Sequence, residues 1–162
     1  MAASSSDAGA PAGSGGGEPA APGGAAPAAA AAESFKEQGN ALYKEGHYLK
    51  AAAAYTQGLK ADPSHSVLYS NRSAALLQLS KTGKALADAE ECIRLRPDWD
   101  KGYFRKAAAL EALGRMEEAL QCYRSSLERN KESKQLAEKV RVLTKIVDKS
   151  KRSNGSGSAA GS

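Results

Sequence analysis

The chain repeats itself. Pro63 and Pro97 lie 34 residues apart, and each closes a similar phrase, Leu59-Lys60-Ala61-Asp62-Pro63 and Ile93-Arg94-Leu95-Arg96-Pro97. Gly46, Ala51 and Tyr55 follow one another at the same intervals as Gly114, Ala119 and Tyr123, two periods later. An aromatic stands six residues after each proline (Tyr69, Tyr103), and one period before Tyr69 stands Phe35. A period of this length accommodates one helix–turn–helix unit, whose apolar face stays uncovered until the next unit stacks on it. The expectation is an all-α solenoid of three stacked helix pairs. The spacing predicts helices at about 33–45, 49–60, 66–79, 83–95, 100–113 and 116–129, with Ser66 and Asp98 or Asp100 as N-caps.

Outside the repeats the chain changes character. Residues 1–32 are almost entirely Ala, Gly, Ser and Pro, with no aromatic, Leu, Ile, Val or basic residue. Such a stretch buries too little apolar surface to offset its ordering entropy, so it reads as a disordered leader, with Ala28 to Ala32 able to add a first turn to the helix that follows. A Met-Ala-Ala-Ser start invites a transit-peptide reading. However, the first base is Lys36, whereas Asp7 and Glu18 are acidic. With no apolar run for secretion or for spanning a bilayer, the expected location is the cytoplasm, with the nucleus open to a small protein. At the other end Leu136, Val140, Leu143 and Val147 step by 4, 3 and 4, one stripe on a helix of about 133–149. It serves either as the lid that a solenoid requires or as a partner-binding amphipathic helix. The divisions are then a leader at 1–32, repeats at 33–65, 66–99 and 100–131, the capping helix, and a flexible tail at 150–162.

The pattern resembles the tetratricopeptide repeat (TPR) family over roughly residues 33–131. That family sets a bulky aromatic, a small residue four on, a small residue and an aromatic in the second helix, and a closing proline. Repeat one supplies Phe35, Gly39, Ala51, Tyr55 and Pro63, and repeat two supplies Tyr69, Ser73, Ala85, Ala89 and Pro97. Repeat three supplies Tyr103, Ala107, Ala119 and Tyr123. Ala89 departs from the expected aromatic and Lys131 from the proline, the latter in keeping with a final repeat.

A sharper resemblance lies in the first helix of each pair. The phrases Phe35-Lys36-Glu37-Gln38-Gly39-Asn40, Tyr69-Ser70-Asn71-Arg72-Ser73 and Lys101-Gly102-Tyr103-Phe104-Arg105 are similar to the dicarboxylate-clamp subfamily. The stretch 97–103 is especially similar to the first TPR domain of the chaperone-organising co-chaperone, and the arrangement of one clamp domain behind a low-complexity leader resembles small plant TPR proteins. The resemblance implies that Lys36, Asn40, Asn71, Lys101 and Arg105 grip the C-terminal carboxylate and last Asp side chain of a chaperone tail ending Glu-Glu-Val-Asp. It implies the seventy-kilodalton heat-shock chaperone ahead of the ninety-kilodalton one. Lys and Arg supply charge to such a ligand, and Asn supplies donors without adding repulsion. Lys101 and Arg105, like charges four apart on one helix, cost about 0.2–0.5 kcal/mol, which a bound anion would offset. Tyr43, Ala74 and Leu77, about one turn from the asparagines, are candidates for an apolar pocket taking the tail's Val or upstream side chains.

Other chemistries find less support. Apart from Asp7 and Glu18, 16 acids face 23 bases, and the excess suits an acidic partner. Because bases alternate with acids, as at Glu90, Glu91, Glu117 and Glu118, a phosphate track for nucleic acid is not expected. Cys92 and Cys122 form no CxxC motif and read as packing residues. His47 and His65 fall at helix ends or turns without a partner at ligand spacing, so no metal, cofactor or catalytic role is expected. Trp99 reads as packing at the entry to repeat three. Arg72 and Lys106 either extend the basic surface or only aid solubility. The expectation is therefore a monomeric, non-enzymatic adaptor without membrane contact. The alternative is a general scaffold that binds an internal acidic segment of another protein.

Overall fold

A computed structural model describes residues 26–158. Seven helices follow one another: α1 (Ala26–Lys44), α2 (Tyr48–Ala61), α3 (Ser66–Gln78), α4 (Thr82–Leu95), α5 (Asp100–Ala112), α6 (Met116–Arg129) and α7 (Lys134–Ser158), with no strand among the described residues. The helices pair α1 with α2, α3 with α4 and α5 with α6, and each pair stacks on the next.

The repeating residues explain the pairing. Ala51, Ala85 and Ala119 are fully buried, so the two backbones of each pair approach closely. At Gly39 a Cβ would lie 2.3 Å from the Tyr55 ring, so only glycine lets this ring pass between α1 and α2. The turn inside each pair needs a left-handed residue one period apart: Gly46 (φ 83°), Ser80 (φ 58°) and Gly114 (φ 77°). Between pairs, Tyr69 and Tyr103 donate their hydroxyls to the carbonyls of Pro63 (3.1 Å) and Pro97 (2.8 Å). Each bond joins the head of a helix to the turn before it.

The core has two centres. One gathers Tyr55, Leu59 and Leu68 around the alanines of α1 and α2, and the other gathers Phe104, Leu110, Leu120 and Tyr123 under α7. Leu136, Leu143 and Val147 of α7 are buried in the second centre, with Val140 packed against it, so the stripe covers the last pair. Among the described residues no helix is long and apolar enough to cross a membrane.

Several expectations need correction. The leader reading of residues 1–25 lies outside the described residues, but residues 26–32 belong to α1, and Ala32 is fully buried in the first core. Alanine has the best helix propensity and needs little room, so this stretch extends the helix rather than preceding it. Likewise α7 runs to Ser158, past the expected end at 149. Adding residues to an existing helix avoids the nucleation cost that makes short polar segments non-helical in isolation. The N-caps are His65 and Trp99, one residue before Ser66 and Asp100, and His65 caps α3 by accepting from the Leu68 backbone N–H at 3.3 Å.

Candidate functional site

The curvature of the stack defines an inner face. The first helices touch directly, α1 with α3 and α3 with α5, whereas no such contact joins α2 to α4 or α4 to α6 among the described residues. The first helices therefore lie at the shorter radius and line the concave side.

Along that side the five candidate residues form a polar line that hydrogen bonds join in part. Asn71 donates its amide to Asn40 Oδ1 at 2.9 Å, which joins α3 to α1. The same oxygen accepts from the Tyr55 hydroxyl at 2.7 Å, so a core aromatic fixes the amide. Arg105 Nε donates to the Ser70 hydroxyl at 3.3 Å and joins α5 to α3. Lys101 stands one turn before Arg105, and the Phe104 ring lies near both cations, with centroid distances of 5.8 and 5.5 Å. The ring face offsets part of the repulsion that this pair of like charges carries.

The line is tightly enclosed. Asn71 is 0 % exposed, Arg105 2 % and Lys36 4 %, while Asn40 and Lys101 are half-buried. Burial pushes the Arg105 guanidinium below its ordinary value, opposed by Tyr43, Cys92, Tyr55 and Tyr123 around it. It stays charged even so. Burial also raises the Tyr43 and Tyr55 phenols and the Cys92 thiol, the last to about 12. A fixed cation thus sits among groups that are neutral at pH 7, which favours any anion that reaches it.

Of the expected apolar pocket, Tyr43 and Leu77 are half-buried, whereas Ala74 at 1 % exposure lies beneath the surface. Tyr43 packs edge-on against Tyr48, with centroids 5.1 Å apart.

Two features went unread in the sequence. Glu33 Oε2 holds Lys36 Nζ at 2.8 Å, and its Oε1 lies 3.0 Å from His65 Nε2. His65 therefore has the carboxylate partner that sequence spacing denied it. The Glu33–Lys36 spacing of three on one helix was a usable signal, but the 32-residue separation of Glu33 and His65 offered none. The Lys36 hydrogen bond, working against burial and joined by His65, holds the Glu33 carboxyl below its ordinary value. The second feature is on the outer side, where Arg72 makes a bidentate pair with Asp88 (2.7 and 2.7 Å) and donates to Thr56 at 3.1 Å. Arg72 is thus a tie between α3 and α4 and not loose basic surface. Lys106 pairs similarly with Glu90 at 3.3 Å. Trp99 is half-buried beneath the Arg96 guanidinium, 4.8 Å from its centroid, and Tyr55 and Tyr123 are core residues. Among the described residues no group of His, Cys, Asp and Glu could hold a metal ion.

Models of the tetratricopeptide repeat match residues 32–65 and 100–133. The "Protein STIP1 homolog" of Dictyostelium discoideum is 51 % identical over 88 residues, 54 % of this chain and 16 % of that protein. The chain spans under a quarter of the length of the curated relatives it matches. Among solved structures, the first TPR of Spaghetti (RPAP3), bound to the HSP90 peptide SRMEEVD, superposes with a TM-score of 0.71 at 32 % identity, covering 74 % of this chain and 95 % of that one. The second TPR domain of human RPAP3, in complex with the HSP70 peptide SGPTIEEVD, gives 0.67 at 30 % identity, covering 75 % and 98 %. In repeat period, helix pairing and likeness to these domains, the chain belongs to the tetratricopeptide repeat family.

Proposed function

We propose that this chain is a non-enzymatic co-chaperone adaptor that binds the C-terminal Glu-Glu-Val-Asp tail of a seventy- or ninety-kilodalton heat-shock chaperone. Lys36, Asn40, Asn71, Lys101 and Arg105 serve as the carboxylate clamp. The observation that supports this reading is that the first helices, which touch one another directly, carry three cations and two linked amides among them. The relatives that bind such peptides support it.

The chemistry follows from the geometry. A C-terminal Asp carries two carboxylates a few ångströms apart. Lys101 and Arg105 on α5 and Lys36 on α1 provide charge at both ends of the line. Asn40, its oxygen committed to Tyr55 and Asn71, offers the ligand its amide nitrogen. Charge-assisted bonds contribute about 1.5–3 kcal/mol each. Four or five of them, less desolvation and ordering, leave roughly 7–8 kcal/mol, a micromolar Kd. Tyr43 and Leu77 would receive the Val or upstream side chains. Of the two tails we place the seventy-kilodalton chaperone's first, on the resemblance of residues 97–103, and the protein acts as a monomer in the cytoplasm.

Calorimetric titration tests the proposal with a peptide ending Glu-Glu-Val-Asp, the same peptide as its C-terminal amide, and the Lys101→Ala protein. Micromolar binding that is lost in both controls supports the clamp. Equal binding of the amide would point to a scaffold for internal acidic segments, and no binding by folded protein would end the adaptor reading.

A further inference from the structure

Lys36 is enclosed, and the carboxylate bonded to it is not. Its side chain is 5 % exposed, whereas that of Glu33, bonded to it at 2.8 Å, is 47 % exposed. The carboxylate therefore lies on the solvent side of the ammonium. It is clasped from two helices, because its other oxygen meets His65 Nε2 at 3.0 Å. His65 Nδ1 accepts the Leu68 backbone N–H, so the neutral ring carries its hydrogen on Nε2 and donates it to Glu33.

The position of Glu33 in its helix does not by itself call for an acid. Glu33 lies two turns into α1, beyond reach of the positive helix end. One and two periods on, the same register holds Val67 and Lys101. The acid therefore belongs to this repeat alone, beside a clamp lysine.

We infer that Glu33 is a built-in competitor at the clamp, an internal carboxylate that covers Lys36 until a ligand carboxylate displaces it. This rests on the clamp reading above. A ligand carboxylate placed beside Glu33 on one ammonium would leave two anions sharing a single cation, so Glu33 must swing outward, where its exposure gives it room. The consequence is specificity for ligands with two carboxylates. A ligand with one gains little from replacing one anion on Lys36 by another, whereas a C-terminal Asp also engages Lys101 and Arg105 with its second group.

Three proteins decide the matter: wild type, Glu33→Gln and His65→Asn, the last keeping a good capping residue for α3 while releasing Glu33. Each is titrated with the free-acid Glu-Glu-Val-Asp peptide. Separately, without peptide, the Lys36 ammonium is followed by NMR as acetate is added. Removing a cover that occupies the site most of the time raises apparent affinity by the inverse of the open fraction, so E33Q binds the peptide about two- to threefold tighter. H65N moves in the same direction by less, and acetate perturbs Lys36 at lower concentration in E33Q than in wild type. Equal or weaker peptide binding by E33Q, or an acetate response identical to wild type, overturns the inference. If wild type fails to bind peptide, the clamp reading falls, while the acetate arm still decides whether Glu33 covers Lys36.

Discussion

The surfaces between helices and the concave face obey opposite rules. Between helices three registers hold the same kind of residue in every repeat: Ala51, Ala85 and Ala119; Phe35, Tyr69 and Tyr103; Gly46, Ser80 and Gly114 in the left-handed turn. Along the first helices, at the positions of the candidate residues, each register holds something different: Lys36, Ser70 and Phe104; Glu37, Asn71 and Arg105; Asn40, Ala74 and Ala108. Packing is one problem solved three times, so its residues recur. A ligand that lies across the repeats does so only once, so residues facing it need not recur. In this chain periodicity records the fold, and the proposed clamp residues stand where the first helices depart from it.

The comparison can be broken from either side. The largest effect is expected where the packing rule is broken. Tyr123→Ala removes a buried ring that sits edge-on to Phe104 and bonds Glu111, and chemical denaturation should show a loss of about 3–5 kcal/mol. Gly39→Ala, with its Cβ driven into the Tyr55 ring, should cost about 1–3 kcal/mol in the same assay. A change at the half-buried Lys101, by contrast, should leave the unfolding midpoint nearly unmoved. Lys101→Ala is expected to weaken peptide binding by about 1.5–3 kcal/mol, ten- to hundredfold by calorimetry, at unchanged stability. Ser80→Gly restores the repeat rule in the one left-handed turn that lacks glycine. It should gain up to about 1 kcal/mol, the lost strain partly offset by a more flexible unfolded chain.

The smallest effect is at Glu33. Its folded carboxyl lies below its ordinary value, so its stabilising contribution is present above about pH 4.5 and fades as pH falls through the folded value. With the group half-exposed this amounts to a few tenths of a kcal/mol. Glu33→Gln should therefore flatten the acid limb of a stability–pH profile slightly, and a steeper limb would contradict the pairing.

What the sequence disclosed follows the same division. The six repeat helices were legible to within about two residues, except at the start of α1, because Gly39, Ala51, Tyr55 and their counterparts recur. The outer ends were not. Ala26 to Ala32 and the stretch beyond Lys149 carry no apolar period, and their helicity comes from alanine propensity and from continuing a helix already formed. The five proposed clamp positions rest on resemblance, since nothing local separates Asn71 from a solvated asparagine. Their enclosure was not legible, because it depends on pairs such as Asn40–Asn71 and Glu33–His65 that lie 31 and 32 residues apart. The Arg72–Asp88 tie escaped notice for a related reason. Its partners occupy different helices of one pair, and the corresponding positions one period on are Lys106 and Cys122, so the repeat gives no echo of it.

The ties along the inner radius also bear on elasticity. A stack in which each helix pair touches only its neighbours bends like a leaf spring, and Asn40–Asn71 and Ser70–Arg105 are the two rivets on its short side. A ligand anchored on α1 and α5 together would span both rivets and stiffen the middle leaf, although that leaf supplies few of the contacts. Amide exchange in α3 and α4 should then slow on binding as much as exchange beside the ligand itself.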